Sequence, residues 1–140
     1  LKKNPFEVRI NTAFAAVMRG CAAREETWID DTIIAAYTRL HELKLAHSVE
    51  TWNREGELVG GLYGVALGGA FFGESMFSRE TDASKVALYA LVTRLRERGF
   101  TLLDIQWSTP HLATFGAVEI PRRQYLRRLR AALAGSAAFA

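Results

Sequence analysis

The most constraining feature of this sequence is an uncharged run of sixteen residues, 58–73, that contains six glycines. A membrane-spanning helix needs about 20 consecutive apolar residues, so this run is too short to be one. Apolar residues on both sides of the Gly68-Gly69 pair are typical of a β-hairpin. We therefore predict strands at 58–67 and 70–77, with close backbone approach or a bulge at Gly60, Gly61 and Gly64.

Two helices are predicted before the hairpin. The first has Phe14, Val17, Met18 and Cys21 on its apolar face and is capped by Asn11 or Thr12. The second is capped by Asp30 and Asp31, with an inner face of Ile33, Ile34, Tyr37 and Leu40. An extended stretch at 46–52 and a turn at 53–56 follow, which lead into the hairpin.

Three more elements are predicted after the hairpin. Asp82 caps a helix at 83–98, which Gly99 ends, and a strand at 101–107 follows. A strand, a helix and a strand within this length indicate a parallel crossover unit. The last helix follows Pro121, with Leu126, Leu129 and Leu133 inward and its arginines outward. The order, ααβββαβ with a helical tail, predicts an α/β or α+β fold on a mixed sheet.

Composition places the chain among soluble globular domains and excludes several functions. Its 140 residues, 49% hydrophobic and 24% charged, suit one domain over 1–140. Cys21 is the only cysteine, which rules out an intrachain disulfide and favours a reducing compartment. The start of the chain lacks the apolar segment of a signal peptide. Zinc motifs, GxGxxG, GxxxxGK[ST] and GxSxG are all missing, so metal, nucleotide-loop and hydrolase-triad chemistry have no support.

The charge is concentrated at one end. Residues 119–140 contain one glutamate and five arginines, a net +4, whereas the whole chain carries +3. The remainder is therefore close to neutral. Such a basic segment attracts phosphates, or it is simply a solvated helix face.

The strand at 101–107 contains an unexpected carboxylate. Alternation places Leu102, Asp104 and Gln106 on one face, with Leu103 and Ile105 on the other. Burial of a carboxylate is costly unless the group is paired, so Asp104 and Gln106 are candidates for a shared polar network. The alternative is an aspartate at a strand end that bonds local backbone.

Glu74 and Trp28 are two further candidates. Glu74 stands among aromatic residues directly after a glycine, where desolvation raises the pKa of a carboxyl. An apolar pocket with one or two polar groups is the usual design of a small-ligand site, although a strand-end glutamate can also face water. Trp28, just before a helix cap, could stack on a base or belong to the core. His111 is interpreted as a structural loop histidine.

Several segments, taken in order, resemble leucyl/phenylalanyl-tRNA–protein transferases. They are Thr27-Trp28-Ile29, His47-Ser48-Val49-Glu50, the stretch 58–65, Gly73-Glu-Ser-Met-Phe-Ser-Arg79, Asp82-Ala-Ser-Lys85, Leu103-Asp104-x-Gln106 and Gly116-Ala-x-Glu119-Ile120-Pro-Arg122-Arg123. Long motifs such as GESMFSR are specific, and the resemblance covers roughly residues 5–130.

The resemblance implies a GNAT-like acyltransferase fold and a definite reaction. Such enzymes move Leu or Phe from Leu-tRNA or Phe-tRNA onto proteins with an N-terminal Arg or Lys, which marks them for degradation in the bacterial cytoplasm. The donor is charged tRNA, and no cofactor, metal or membrane is involved. The resemblance therefore predicts a cytoplasmic enzyme, which we expect to be a monomer.

Residue roles carried over from the resemblance are as follows. Asp104 and Gln106 match the catalytic pair, in which Gln106 holds the amine or the ester carbonyl and Asp104 polarises it. Glu74 matches a contact to the aminoacyl group and the terminal adenosine. Leu62 and Phe71 match walls of the pocket for the Leu or Phe side chain, and Trp28 matches an aromatic that stacks on the terminal adenine. The tRNA phosphates are contacted by Arg122, Arg123 and Arg127.

Two departures from the family pattern leave alternatives open. The N-terminal domain of the family is absent from this sequence, and Leu62 stands where some members have Met. The segment Ser78–Lys85 lacks the glycines of a GNAT pyrophosphate loop, which argues against CoA as the acyl donor. The alternatives are an N-acyltransferase with another donor and a non-catalytic tRNA- or peptide-binding module.

Overall fold

A computed structural model describes residues 5–23, 29–105 and 120–140. Their elements are, in chain order, β1 (Glu7–Ile10), α1 (Phe14–Ala22), α2 (Asp31–Glu42), β2 (Ala46–Trp52), β3 (Leu58–Leu67), β4 (Ala70–Ser78), α3 (Ala83–Glu97), β5 (Leu102–Ile105) and α4 (Arg122–Leu133). The predicted order of helices and strands is confirmed, with one strand added in front. None of the helices in the described ranges is long and apolar enough to cross a membrane.

The five strands form one mixed sheet in the order β1-β2-β3-β4-β5. The first four are antiparallel neighbours, whereas β4 and β5 are parallel and are joined through α3. The predicted hairpin and crossover unit are therefore confirmed. β1 was missed because it has only four residues, and its alternation of Glu7 and Arg9 with Val8 and Ile10 is too short to distinguish from an irregular segment.

Two apolar cores lie on opposite faces of the sheet. We call them the α1-side core and the α3-side core. The α1-side core is built around Phe14, Val17, Met18, Cys21, Ile29, Ala46, Tyr63 and Phe77, and the predicted inner face of α2 packs against it. The α3-side core is built around Val49, Leu62, Phe71, Met76, Ala87, Leu88, Leu91, Leu95 and Phe139. Any side chain of the sheet thus belongs to one side or the other.

The glycines of β3 allow close packing, as predicted. A Cβ on Gly60 would lie 2.7 Å from the Cβ of Ala83, at the start of α3. The register of β3 and β4 shifts between Tyr63 and Gly64, so a bulge occurs there as well. α3 therefore sits directly on the backbone of the sheet.

The positions of the helix starts were predicted correctly, but the residue that caps the helix was not always the predicted one. Asp30 caps α2 by accepting a bond from the Ile33 N–H at 2.9 Å, as expected. Asp82 precedes α3 without a side-chain cap bond, and Ser78 Oγ accepts the Ser84 N–H instead. Neither Asn11 nor Thr12 caps α1, whose N-cap residue is Ala13 and which has no side-chain cap bond. The Glu50 carboxylate on β2 instead accepts the N–H groups of Thr12 and Ala13, the two residues that lead into the helix.

The inner face of α4 differs from the predicted one. Leu126 and Leu133 are exposed, at 39% and 45%, whereas Ala132 is buried and Tyr125 and Leu129 are half-buried. The inward stripe is therefore Tyr125, Leu129 and Ala132. Both stripes have helical spacing, and the prediction followed the leucines because they are the more apolar set. The arginines do face outward, as predicted.

Candidate active site

Asp104 lies on β5, on the face of the sheet opposite the α3-side core. Its neighbours Leu103 and Ile105 pack against that core, which confirms the predicted alternation for the described part of the strand. Asp104 is half-buried and pairs in parallel register with Phe72 of β4. Its Oδ2 accepts a hydrogen bond from the Tyr125 hydroxyl of α4, at 2.6 Å. A carboxylate with one charge-assisted bond therefore stands at this edge of the sheet.

Glu74 occupies the bulge of β4. Tyr63 pairs with Ser75 and Gly64 pairs with Gly73, so Glu74 has no partner residue on β3. A bulge re-aims the side chain of the extra residue and is common beside active sites. The half-buried Glu74 points to α2, where the Tyr37 hydroxyl donates to its Oε1 at 3.0 Å.

The electrostatics link the two carboxylates and their tyrosines. Burial raises the pKa of Glu74, the bond from Tyr37 lowers it, and the charge of Asp104 raises it again. The pKa of Tyr37 is raised to about 12, chiefly by burial and then by Glu74. The bond to Asp104 raises the pKa of Tyr125 to about 12. Both hydroxyls are thus held as donors to carboxylates near neutral pH.

Two of the predicted site residues lie elsewhere. Leu62 and Phe71 are fully buried in the α3-side core, on the other face of the sheet from Glu74 and Asp104. Phe71 stacks on Phe139, with ring centroids 5.2 Å apart. The structure therefore brings together Glu74 and Asp104, but it does not place the proposed pocket walls beside them.

Three further predictions fall outside the described residues. They concern Trp28, as the aromatic that stacks on adenine, Gln106, as the partner of Asp104, and His111, as a structural loop histidine. All three remain predictions.

The predicted phosphate contacts lie on one exposed surface of α4. Arg122, Arg123 and Arg127 line an open groove together with Leu126 and Arg130. None of these arginines forms an ion pair with another residue in the described ranges. Uncompensated guanidinium groups in a row suit a polyanion. Nor do the described ranges hold a group of three or more His, Cys, Asp or Glu side chains suited to a metal.

Sequence reasoning missed Tyr125 and the bonding role of Tyr37. Tyr37 was interpreted only as part of the inner face of α2, where its ring does pack. Tyr125 was overlooked because two leucines suggested a different stripe. One feature of the sequence could have indicated both contacts. A tyrosine on the inward face of a helix has a hydroxyl that needs a hydrogen-bond partner, and the carboxylates of Glu74 and Asp104 can accept that bond.

The comparisons with known proteins agree over the whole chain. Residues 1–130 match the family model described as leucyl/phenylalanyl-tRNA protein transferase. Transferases of that name from Rubrobacter xylanophilus, Ruegeria pomeroyi and Herpetosiphon aurantiacus are 62%, 57% and 58% identical over 100%, 100% and 99% of this chain. The chain spans 73%, 66% and 72% of the lengths of these relatives.

Solved structures identify the fold. An aminoglycoside acetyltransferase from a soil metagenome superposes with a TM-score of 0.63 at 14% identity, over 84% of this chain and 93% of the other. A ribosomal-protein-alanine N-acetyltransferase from Brucella melitensis gives 0.60 at 14% identity, over 84% and 94%. At such identities the likeness shows the fold alone. The predicted GNAT-like acyltransferase fold is thereby confirmed.

Proposed function

Because the chain belongs to the leucyl/phenylalanyl-tRNA–protein transferase family, a family of aminoacyltransferases, we propose that it moves leucine or phenylalanine from aminoacyl-tRNA to a protein N-terminus. The observation that carries this proposal is identity of 57–62% to such transferases over the whole chain. The acceptors are proteins with an N-terminal Arg or Lys, which the added residue marks for degradation. We place the reaction in the cytoplasm and expect the enzyme to act as a monomer.

The reaction is an aminolysis of an ester. The nitrogen of the acceptor α-amine attacks the ester carbonyl carbon, a C–N bond forms, and the bond from that carbon to the ribose oxygen breaks. The proton lost by the amine ends on the ribose hydroxyl. An α-amine has a pKa of about 8, so a useful fraction is already neutral near pH 7.5. Positioning of the two reactants is therefore the main task, and it can be worth about 7–11 kcal/mol.

Asp104 and Gln106 carry the chemistry in this proposal. Gln106 holds the amine or the ester carbonyl, and Asp104 polarises that group or accepts the proton. The bond from Tyr125 occupies Oδ2 of Asp104, and Oδ1, which accepts no side-chain bond from the described residues, takes this task in the proposal. A donor aimed at the tetrahedral oxyanion would add roughly 3–4 kcal/mol.

The remaining side chains bind the donor. Glu74 contacts the aminoacyl group and the terminal adenosine, and Trp28 stacks on the adenine. Leu62 and Phe71 are proposed as walls of the side-chain pocket, which requires the Leu or Phe side chain to enter the α3-side core, on the face of the sheet opposite Glu74. A difference of one methylene in such a pocket changes binding by only about 1–3 kcal/mol, so selection among apolar side chains is modest. The outward arginines of α4, Arg122, Arg123 and Arg127, contact the phosphates of the tRNA.

The test is a transfer assay with labelled Phe-tRNA and two peptides that differ only in their first residue, Arg or Ala. We expect label on the Arg peptide alone. Asp104→Asn should lower kcat at least about 100-fold, as removal of a general base does, with little change in tRNA affinity. The control is Asp82→Asn, because the side chain of Asp82 is 60% exposed and its only ion pair within the described residues is with Lys85.

Other outcomes favour the alternatives. Salt-dependent tRNA binding without product, unaffected by Asp104→Asn, would indicate a binding module. Label on neither peptide, together with a thermal shift on addition of CoA, would indicate an acyltransferase with a different donor.

A further inference from the structure

Helix α4 is fastened to the sheet at both ends. Near its C-terminal end, the carbonyl of Ala132 accepts the Gly69 N–H at 2.6 Å, at the turn of the β3–β4 hairpin. In its first turns, Tyr125 bonds to Asp104 on β5, also at 2.6 Å. The position of the helix is therefore linked to the position of the carboxylate.

The hydrogen bond from Tyr125 fixes the orientation of the Asp104 carboxylate. Rotation about the Cβ–Cγ bond would exchange the two oxygens of an aspartate, and one short bond to a fixed donor prevents this. Oδ2 is thereby assigned to the tyrosine, and within the part of the chain that the structure describes no side chain competes with the reacting groups for Oδ1. The inward stripe of α4 also contains Leu129 and Ala132, so the helix keeps buried apolar side chains when the hydroxyl alone is removed.

We propose that Tyr125 is a positioning residue of the transfer reaction, which holds the Asp104 carboxylate in its working orientation and couples that orientation to the helix that carries the tRNA-binding arginines. This inference rests on the proposed function. Tyr125 makes no contact with the reacting atoms in this scheme and acts only through Asp104. The same helix presents Arg122 and Arg127 on its outer surface, so one rigid element serves both the donor and the carboxylate.

The kinetic test is a double-mutant cycle. Tyr125→Phe keeps the ring and removes the hydroxyl, and we expect kcat to fall about tenfold with the KM for Phe-tRNA within about twofold, since one bond to a charged group is lost. In an Asp104→Asn background the same change should have no further effect. The matched control is Tyr89→Phe, because Tyr89 of α3 is 66% exposed. Equal rates for the two tyrosine variants, or independent losses in the double mutant, would overturn the proposal.

A titration tests the link without any turnover. With ¹³C-labelled tyrosine rings, Tyr125 should titrate at a pKa of about 12 in the wild-type chain and at a lower pH in Asp104→Asn, since the bond to Asp104 is the main cause of its raised pKa. An unchanged titration would overturn the link. A wild-type chain that transfers nothing would instead overturn the proposed function, and the positioning role would fall with it even if the titration showed the link.

Discussion

Asn11 Nδ2 donates a hydrogen bond to His47 Nδ1, across 3.0 Å. The direction is fixed because the other end of the amide, Oδ1, accepts the Ser48 N–H at 2.9 Å. His47 Nδ1 must therefore be unprotonated. The ring is buried and stacks on Phe139, with centroids 4.6 Å apart. A positively charged imidazole would lose the bond from Asn11 and would be poorly solvated.

This arrangement predicts a loss of stability in mild acid. Burial, followed by the charges of His41 and Arg94, lowers the pKa of His47 from 6.5 to about 4. The unfolded chain takes up the proton near pH 6.5 and the folded chain does not, so stability falls between pH 6.5 and 4, by about 3 kcal/mol. Urea unfolding of wild type and His47→Gln over this range checks it. Parallel stability curves for the two proteins would contradict the prediction.

The raised pKa of Glu74 predicts the opposite dependence of folding stability on pH. Burial raises its pKa above 4.5, so the charged form at neutral pH costs stability, and this cost disappears below pH 4.5. Glu74→Gln keeps an acceptor for Tyr37 and should raise the Tm at pH 7 but not at pH 4. Thermal scans at the two pH values are sufficient. Glu55→Gln, in the exposed turn before β3, controls for the change in net charge. An equal shift in the Tm of that variant would show that burial of Glu74 is not the cause.

The buried hydrogen bonds of Glu50 predict that its conservative replacement by Gln strongly lowers the stability of the fold. Its fully buried carboxylate accepts bonds from the Thr12 and Ala13 N–H groups, the Ser48 and Thr12 hydroxyls and the Trp52 indole N–H. Glu50→Gln turns an NH₂ group toward these donors, and we expect a loss of about 3 kcal/mol in urea unfolding. Glu55→Gln should stay within about 0.5 kcal/mol. A comparably mild effect at Glu50 would show that the segment leading into α1 does not depend on these bonds.

The hairpin contact of α4 can be tested with two glycines. Gly68 and Gly56 both have positive φ, +56° and +81°, but a Cβ on Gly68 would lie 2.6 Å from the Leu133 carbonyl oxygen and one on Gly56 would touch nothing. Gly56→Ala should cost about 1 kcal/mol of backbone strain. Gly68→Ala should cost about 3 kcal/mol, since the end of α4 must also shift. Equal losses in chemical denaturation would mean that the docked helix end contributes nothing.

The arginine surface predicts a change in salt dependence. Arg127→Ala should weaken tRNA binding and reduce the slope of log K against log salt by about 1, because one phosphate contact is lost. Filter binding at several salt concentrations measures it. Arg54→Ala, in the exposed turn before β3, is the matched control and should leave the slope unchanged. The same reduction in both variants would indicate a general charge effect rather than a site.

Prediction from the sequence succeeded where a local rule applied. The α2 start at Asp30 follows from capping, and strand alternation correctly places Asp104 on the face of β5 opposite Leu103 and Ile105. It failed where the partner is distant in sequence. The segment that leads into α1 is held by Glu50, more than thirty residues later, and only the tertiary fold brings Tyr125 to Asp104. No pattern within one element contains that information.

The bulge at Glu74 has a consequence for every insertion or deletion in β4. Phe71 and Phe77 are six positions apart, so an unbroken strand would direct both rings to the same side. The extra residue changes the phase, and the two rings enter different cores. Removal of one residue here would therefore empty one core and overfill the other, whatever side chain remained. Glu74 can be substituted at the cost of its carboxylate, but the position itself must be kept.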